Sequence, residues 1–265
     1  MRVRGVLMAV LMVGACARQI TAVGHSGYTP KWHVGDWWIV KSWEIEPMHG
    51  DWWWMYRRYD VAGVEKVGRN DCYVLEIRGS KRPNISSAGA AGIILYVRTD
   101  NWRVVRTVEA RYSGGKCVTP DVFDTPHGRF GPFVSEPRLP RFPLQLMNQD
   151  TAFKRERREY SVADLREISR PADPTLVERL LAEGDTADIK VVRPSGAVYQ
   201  VRNEIGGNVI PGPQPGAREI KQSLQFWSDD LPWRSFEELV GYSGPNSTRS
   251  VTERSWLIAV GHKGK

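Results

Sequence analysis

From Trp32 to Tyr112 apolar and polar positions alternate with the two-residue period of a strand rather than the 3.6 of a helix. Trp37, Ile39, Trp43 and Ile45 fall on one parity and Trp38, Val40, Ser42 and Glu44 on the other, with Lys41 interrupting the first set. A second run, Met55 to Val67, meets the turn residues Gly68-Arg69-Asn70-Asp71. Cys72 to Ile77 follows, with Tyr73, Leu75 and Ile77 sharing a face. Two such runs joined by so short a turn predict an antiparallel hairpin. Residues Arg82 to Gly92 are small and polar and read as a loop. A second hairpin is expected from Ile93 to Arg98, through Thr99-Asp100-Asn101, into Trp102 to Tyr112. There Trp102, Val104, Val108, Ala110 and Tyr112 face one way and Arg103, Thr107, Glu109 and Arg111 the other. One dry and one wet face is the pattern of an antiparallel sheet packed on one side.

Further on the pattern breaks. Residues 119–146 carry Pro120, Pro126, Pro132, Pro137, Pro140 and Pro143 with phenylalanines between them. Proline neither donates to a ladder nor fits a helix interior. The segment reads as an extended insert, either a surface wrap or a lid over a cavity. A short helix is expected from Ser161, with Asp164 in a capping box. The clearest helix follows: Asp173 as cap, Pro174 in the first position, Leu176, Val177, Leu180 and Leu181 as one stripe, and Gly184 past the end. A hairpin from Ile189 to Asn203 turning at Pro194-Ser195-Gly196, a Gly/Pro loop from Gly206 to Gly216, and a strand from Glu219 to Trp227 come next. Leu231-Pro232-Trp233 leads into an expected short helix through Val240, and Val251 to Val260 is the last strand. The fold class is mainly β (α+β), an antiparallel curved sheet or half-barrel with one or two covering helices. It forms a single domain over 32–265 with the Pro-rich insert 119–146.

The first residues have another use. Met1-Arg2-Val3-Arg4 is basic, Gly5 to Ala15 is apolar, and Val13-Gly14-Ala15-Cys16 closes the run. The run is far shorter than the ~20 residues of a membrane span and has the size of a signal-peptide core. Its end resembles the bacterial lipobox: an aliphatic residue, two small ones, and the cysteine that receives the lipid. The resemblance implies a signal peptide over 1–15, lipid attachment at Cys16 and a tether over 16–31. Ala15-Cys16-Ala17 also fits an ordinary export cleavage site, which would release a soluble secreted or periplasmic protein. Ala17 is not an acidic retention signal, so in a cell with two membranes the anchored form belongs in the outer membrane, facing the periplasm.

Composition narrows the chemistry. The net charge of +7 is spread along the 265 residues and comes with no recognised nucleic-acid motif, so nucleic acid is not an expected partner. The expected partners are the membrane, through the anchor, and a lipid or an envelope protein. Besides Cys16 there are Cys72 and Cys117, a pair that in an oxidising space either forms a disulfide or stays as two buried thiols. His25, His33, His49, His127 and His262 are scattered without ligand spacing, so neither metal nor cofactor is expected, and no catalytic set stands out. Tryptophan is the unusual residue: seven of the eleven lie between Trp32 and Trp54. Trp52, Trp53 and Trp54 cannot all face one core if they lie in a strand, so at least one looks outward or beneath a cover. These three and Trp38 are the candidate ligand-binding residues.

The stretch Tyr59 to Val67 and then Arg69 to Leu75 has a strand–turn–strand cadence that, with the lipobox and the covering helices, resembles the LolA/LolB-like envelope lipoproteins. That resemblance implies a half-barrel closed by helices over an apolar cavity, and carriage of acylated ligands. It brings no site motif, so no residue role is carried over. Two functions are expected from these readings. One is non-enzymatic binding of an apolar or amphipathic ligand by a lipid-anchored envelope protein. The other is a structural or assembly role in an envelope complex.

Overall fold

The structure, a computed structural model, describes residues 31–45, 52–87, 91–100, 102, 104–110, 112–113, 116–117, 120–124, 147–149, 157–159, 169–209, 218–243 and 248–264. The signal, the lipobox, most of the tether, nearly all of the Pro-rich insert and the helix expected from Ser161 lie outside them.

The fold is mainly β, and its centre is one antiparallel sheet of 11 strands. The first strands are β1 (Asp36–Ile45), β2 (Trp52–Val67), β3 (Asn70–Ser80), β4 (Ile93–Arg98) and β5 (Val104–Glu109). Short pieces follow: β6 (Tyr112–Ser113), β7 (Lys116–Cys117), β8 (Asp121–Phe123), β9 (Met147–Gln149), β10 (Arg157–Glu159) and β11 (Arg170–Pro171). Helix α1 (Pro174–Ala182) precedes β12 (Val198–Val209), β13 (Arg218–Ser228), β14 (Phe236–Ser243) and β15 (Thr248–His262). The order across the sheet is β11-β12-β13-β14-β15-β1-β2-β3-β4-β5-β8. It is two meanders joined at a seam, where β15 pairs with β1 from Asp36↔His262 to Glu44↔Glu253. Across one end of the seam His262 Nδ1 lies 2.8 Å from the Asp36 carboxylate.

The β2–β3 hairpin forms as its pattern predicts. Val67 pairs with Asn70, leaving Gly68-Arg69 as the turn, and Gly68 takes the positive φ of +60° that a primed turn demands. One face of the sheet buries Val40, Tyr59, Val61, Leu75, Ile77, Leu95, Val97, Val201, Trp227 and Leu257 in a single core, with Trp32, Trp102 and Trp233 laid over them. The sheet has to curl for this. Trp102 stands next to β5 and Trp233 next to β14, six strand spacings apart, roughly 29 Å on a flat sheet. Yet both rings pack on Trp32, at 4.6 and 6.3 Å between centroids. The sheet is curved but open, with β8 and β11 as its edges.

The other face is covered in its C-terminal half by α1. Asp173 caps the helix, its carboxylate accepting from the Thr175 N–H at 2.9 Å. Val177, Leu180 and Leu181 bury against Phe226, Phe236 and Trp256. The Trp256 indole N–H donates to the Leu180 carbonyl at 2.9 Å, and Arg254 reaches both Glu183 and Glu238. Gly184 is needed for proximity, not for a positive φ: a Cβ there would lie 2.5 Å from the Trp256 ring.

Three sequence expectations are corrected. The helix expected through Val240 is strand β14. Lying between β13 and β15, it is buried from Phe236 to Val240 on both faces, so it shows no alternation. Glu237 is held there by Gln225 and Arg234, and Glu238 by Arg254. Ile189 to Arg193 is not a strand; the Val192 N–H instead makes a single bond to the Leu257 carbonyl at 2.8 Å. Trp102 is not in β5 either. It takes a left-handed φ of 62°, held by its packing on Trp32, and a bulge opposite Tyr96/Val97 then shifts the register so that Thr107 rather than Val108 is buried.

Gly184→Ala is expected to destabilise the fold by about 1–3 kcal/mol, because the added methyl overpacks against the Trp256 ring. Gly63→Ala, where a Cβ meets nothing within 4 Å, serves as the control and stays near wild type. Urea midpoints for the two variants check this.

Candidate functional site

On the helix-side face, where the second half of β1 lies beside the start of β2 and the C-terminal end of α1, aromatic rings surround one cation. Trp43 and Lys41 project from β1 on the same side, opposite Trp54 and Tyr56 of β2. Trp256 of β15 is the cross-strand partner of Lys41. The Lys41 ammonium lies 4.1 Å from the centroid of the Trp54 ring and 5.9 Å from that of Trp256. Trp54 is itself 6.2 Å from Trp43 and 6.1 Å from Trp256. Lys41 is 2% exposed and donates to the Gly184 carbonyl at 3.0 Å, just past the end of α1. A cation suits that end of the helix dipole. Burial nonetheless lowers the lysine's pKa, with the charge of Asp185 pulling the other way. Trp54, at 40% exposed, is the bulkiest exposed apolar side chain among the described residues.

The candidate ligand-binding tryptophans are therefore divided. Trp54 faces outward over Lys41. Trp38 is fully buried on the opposite face, stacked on Tyr59 at 5.4 Å and on Trp233 at 5.3 Å, and its indole N–H has no hydrogen-bond partner. Trp38 and Trp54 thus share no surface. Trp52 and Trp53 pair through their backbones with Ile45 and Glu44, and their side chains lie outside the described residues. Lys41, Tyr56 and Trp256 were not singled out from sequence, although a lysine breaking an apolar face was itself the signal. Cys72 is buried as a free thiol, and burial raises its pKa. The Cys117 side chain and Cys16 lie outside the described residues.

Farther along the same face is a charge network. Asp60, 1% exposed, takes two hydrogen bonds from Arg58 at 3.0 Å and one from Arg78 at 3.0 Å, with the Lys263 ammonium 3.3 Å away. The Arg58 guanidinium also stacks 4.3 Å from the Trp37 ring centroid. Burial pushes the Asp60 carboxyl up, but the hydrogen bonds and charges of Arg58 and Lys263 outweigh it and leave the pKa below its ordinary value. Every group here has its partner, so the network ties β2, β3 and the end of β15 together. Among the described residues no set of three or more His, Cys, Asp and Glu side chains is disposed to hold a metal ion. None of their helices is long and apolar enough to cross a membrane.

The described residues define a class: an open, curled antiparallel sheet with a covering helix and an aromatic surface patch over a buried lysine. No family model matches the chain, and no curated protein matches it. Among solved structures it is similar to a Bacteroides fragilis protein described as exported and of YmcC-like fold. That match has 9% identity and a TM-score of 0.23, over 89% of this chain and 99% of that one. A likeness at that level carries no argument about fold or function.

Asp60→Asn is expected to cost about 2–4 kcal/mol, because it removes the buried carboxylate that Arg58 and Lys263 share and leaves the half-buried Arg78 to Glu76. The depressed carboxyl of Asp60 stabilises the fold above the unfolded pKa of about 3.9, and this is lost as pH falls through the lower folded value. Wild type therefore loses stability across that acid window, and Asp60→Asn loses less of it. Urea titrations between neutral pH and about pH 3 measure both effects.

Proposed function

We propose that this is a lipid-anchored cell-envelope protein that binds an apolar or amphipathic ligand without catalysing a reaction on it. The anchor rests on the basic start, the short apolar run and Val13-Gly14-Ala15-Cys16. The binding surface rests on one observation: Trp54 is exposed while packed between Trp43 and Trp256. Trp54 covers Lys41 with one face and leaves the rest of a large indole in water, and an exposed aromatic cluster of this kind can meet apolar matter. Of the candidate ligand-binding tryptophans expected from sequence, Trp54 carries this reading. The second reading, an assembly role, has its own support. Trp32, Trp38, Trp102 and Trp233 pack on one another, from 0% to 7% exposed, instead of lining an open cavity. In that reading the Trp54 patch meets another envelope protein.

Natively expressed protein is expected to show the mass of a lipidated Cys16 and to fractionate with membranes, and Cys16→Ala to lose both. An unmodified chain soluble in the periplasm would overturn the anchor. For the ligand, a single-chain lysophospholipid brominated on its acyl chain should quench tryptophan fluorescence at saturable, submicellar concentrations. Trp54→Ala should weaken that binding by about three- to tenfold with the fold intact by circular dichroism. Absence of saturable binding, together with a stable protein complex that Trp54→Ala disrupts, would favour the assembly reading instead.

A further inference from the structure

We propose that the ligand of the Trp54 patch is an anionic single-chain amphiphile whose headgroup is received by the Lys41 ammonium. This rests on the binding reading above and names its ligand class. Three buried carboxylates of the sheet are met by opposite charges: Asp60 by Arg58, Arg78 and Lys263, Glu237 by Arg234, and Glu238 by Arg254. The buried ammonium of Lys41 is met differently. It is 2% exposed, and among the described residues its oxygen partner is the Gly184 carbonyl at 3.0 Å. Among the described residues no carboxylate lies within ion-pair distance of it. An ammonium has three N–H donors. Beyond the one taken by Gly184, its neighbours are the ring faces of Trp54 and Trp256. The ring that covers it, Trp54, is also the exposed one. A change of the Trp54 rotamer opens Nζ to an anionic oxygen, while the ligand's acyl chain lies along Trp43 and the turned indole. The site thus presents a desolvated cation short of acceptors beneath an apolar cover that faces solvent, the polarity of an acidic headgroup joined to a hydrocarbon tail.

The test uses the full chain and two probes of equal acyl length below their micellar concentrations, lysophosphatidylglycerol (anionic) and lysophosphatidylcholine (zwitterionic). Wild type is expected to prefer the anionic probe by about tenfold, the worth of a charge-assisted hydrogen bond. Lys41→Met, of similar length and apolar, should bind both equally at the wild-type affinity for the zwitterionic probe. In wild-type protein labelled with 15N at lysine Nζ, the Lys41 signal should shift with the anionic probe and stay with the zwitterionic one; this stands even where Lys41→Met folds poorly. Trp54-dependent binding with no charge preference, or a preference that survives in Lys41→Met, overturns the role of Lys41 and leaves the amphiphile reading in place. Absence of binding by either probe overturns both.

Discussion

The fold depends on one indole. Trp32 lies before the first strand, yet its ring touches Trp38, Tyr73, Trp102 and Trp233, and its N–H donates to the Pro232 carbonyl at 2.8 Å. Those partners belong to both meanders. An open sheet of eleven strands has no closure to set its curvature, and twist alone leaves it splayed. Packing Trp102 and Trp233 on a common ring fixes how far the sheet curls, and the curl gives the Trp38, Tyr59 and Leu75 face something to bury against. The left-handed backbone at Trp102 is the strain this packing maintains, of order 1–3 kcal/mol against several aromatic contacts.

Much of the sheet was legible in the sequence because its outer parts are half-buried. The β2–β3 hairpin, with its Gly68 turn, and the α1 stripe obey the simple periods. Legibility fails where both faces are dry. β14 buries Phe236 to Val240 without alternation, and its two acids mimic the polar face of a helix. It fails again at bulges: the irregularity at Tyr96/Val97 moves Thr107 into the core position that the sequence assigned to Val108. A bulge inserts one residue and inverts all later parity, and nothing in the residue types announces it.

The tryptophans follow the same rule. Trp38 and Trp43 are five apart in one strand and so face opposite sides. The ladder places Trp54 across from Trp43, which carries it to the side away from Trp38. Counting tryptophans gave a cluster; parity divides it into a buried set that shapes the sheet and an outward set beside α1. Trp256, some two hundred residues away, joins the outward set only because β15 pairs with β1, a long-range seam that local periodicity does not specify.

The same seam explains why Lys41 is unlike the buried carboxylates of the sheet. Its position faces Trp256 and the Gly184 carbonyl just past the end of α1, so its surroundings supply a helix dipole and ring faces, while Asp185 acts on it only from beyond ion-pair distance. A hydrogen bond from a charged donor is worth about 1.5–3 kcal/mol, and a desolvated cation–π contact about 2. Against them stands the several kcal/mol that real proteins still charge for burying an ion after relaxation. The sums are close, and the lowered lysine pKa says that the cost of burial prevails. A methionine would fill the same space without that cost, and a helix end is ordinarily closed by a glycine turn or a surface cation. For the fold alone, then, the lysine is a poor choice. It becomes a good one when the missing counter-charge arrives from outside, past the exposed edge of Trp54.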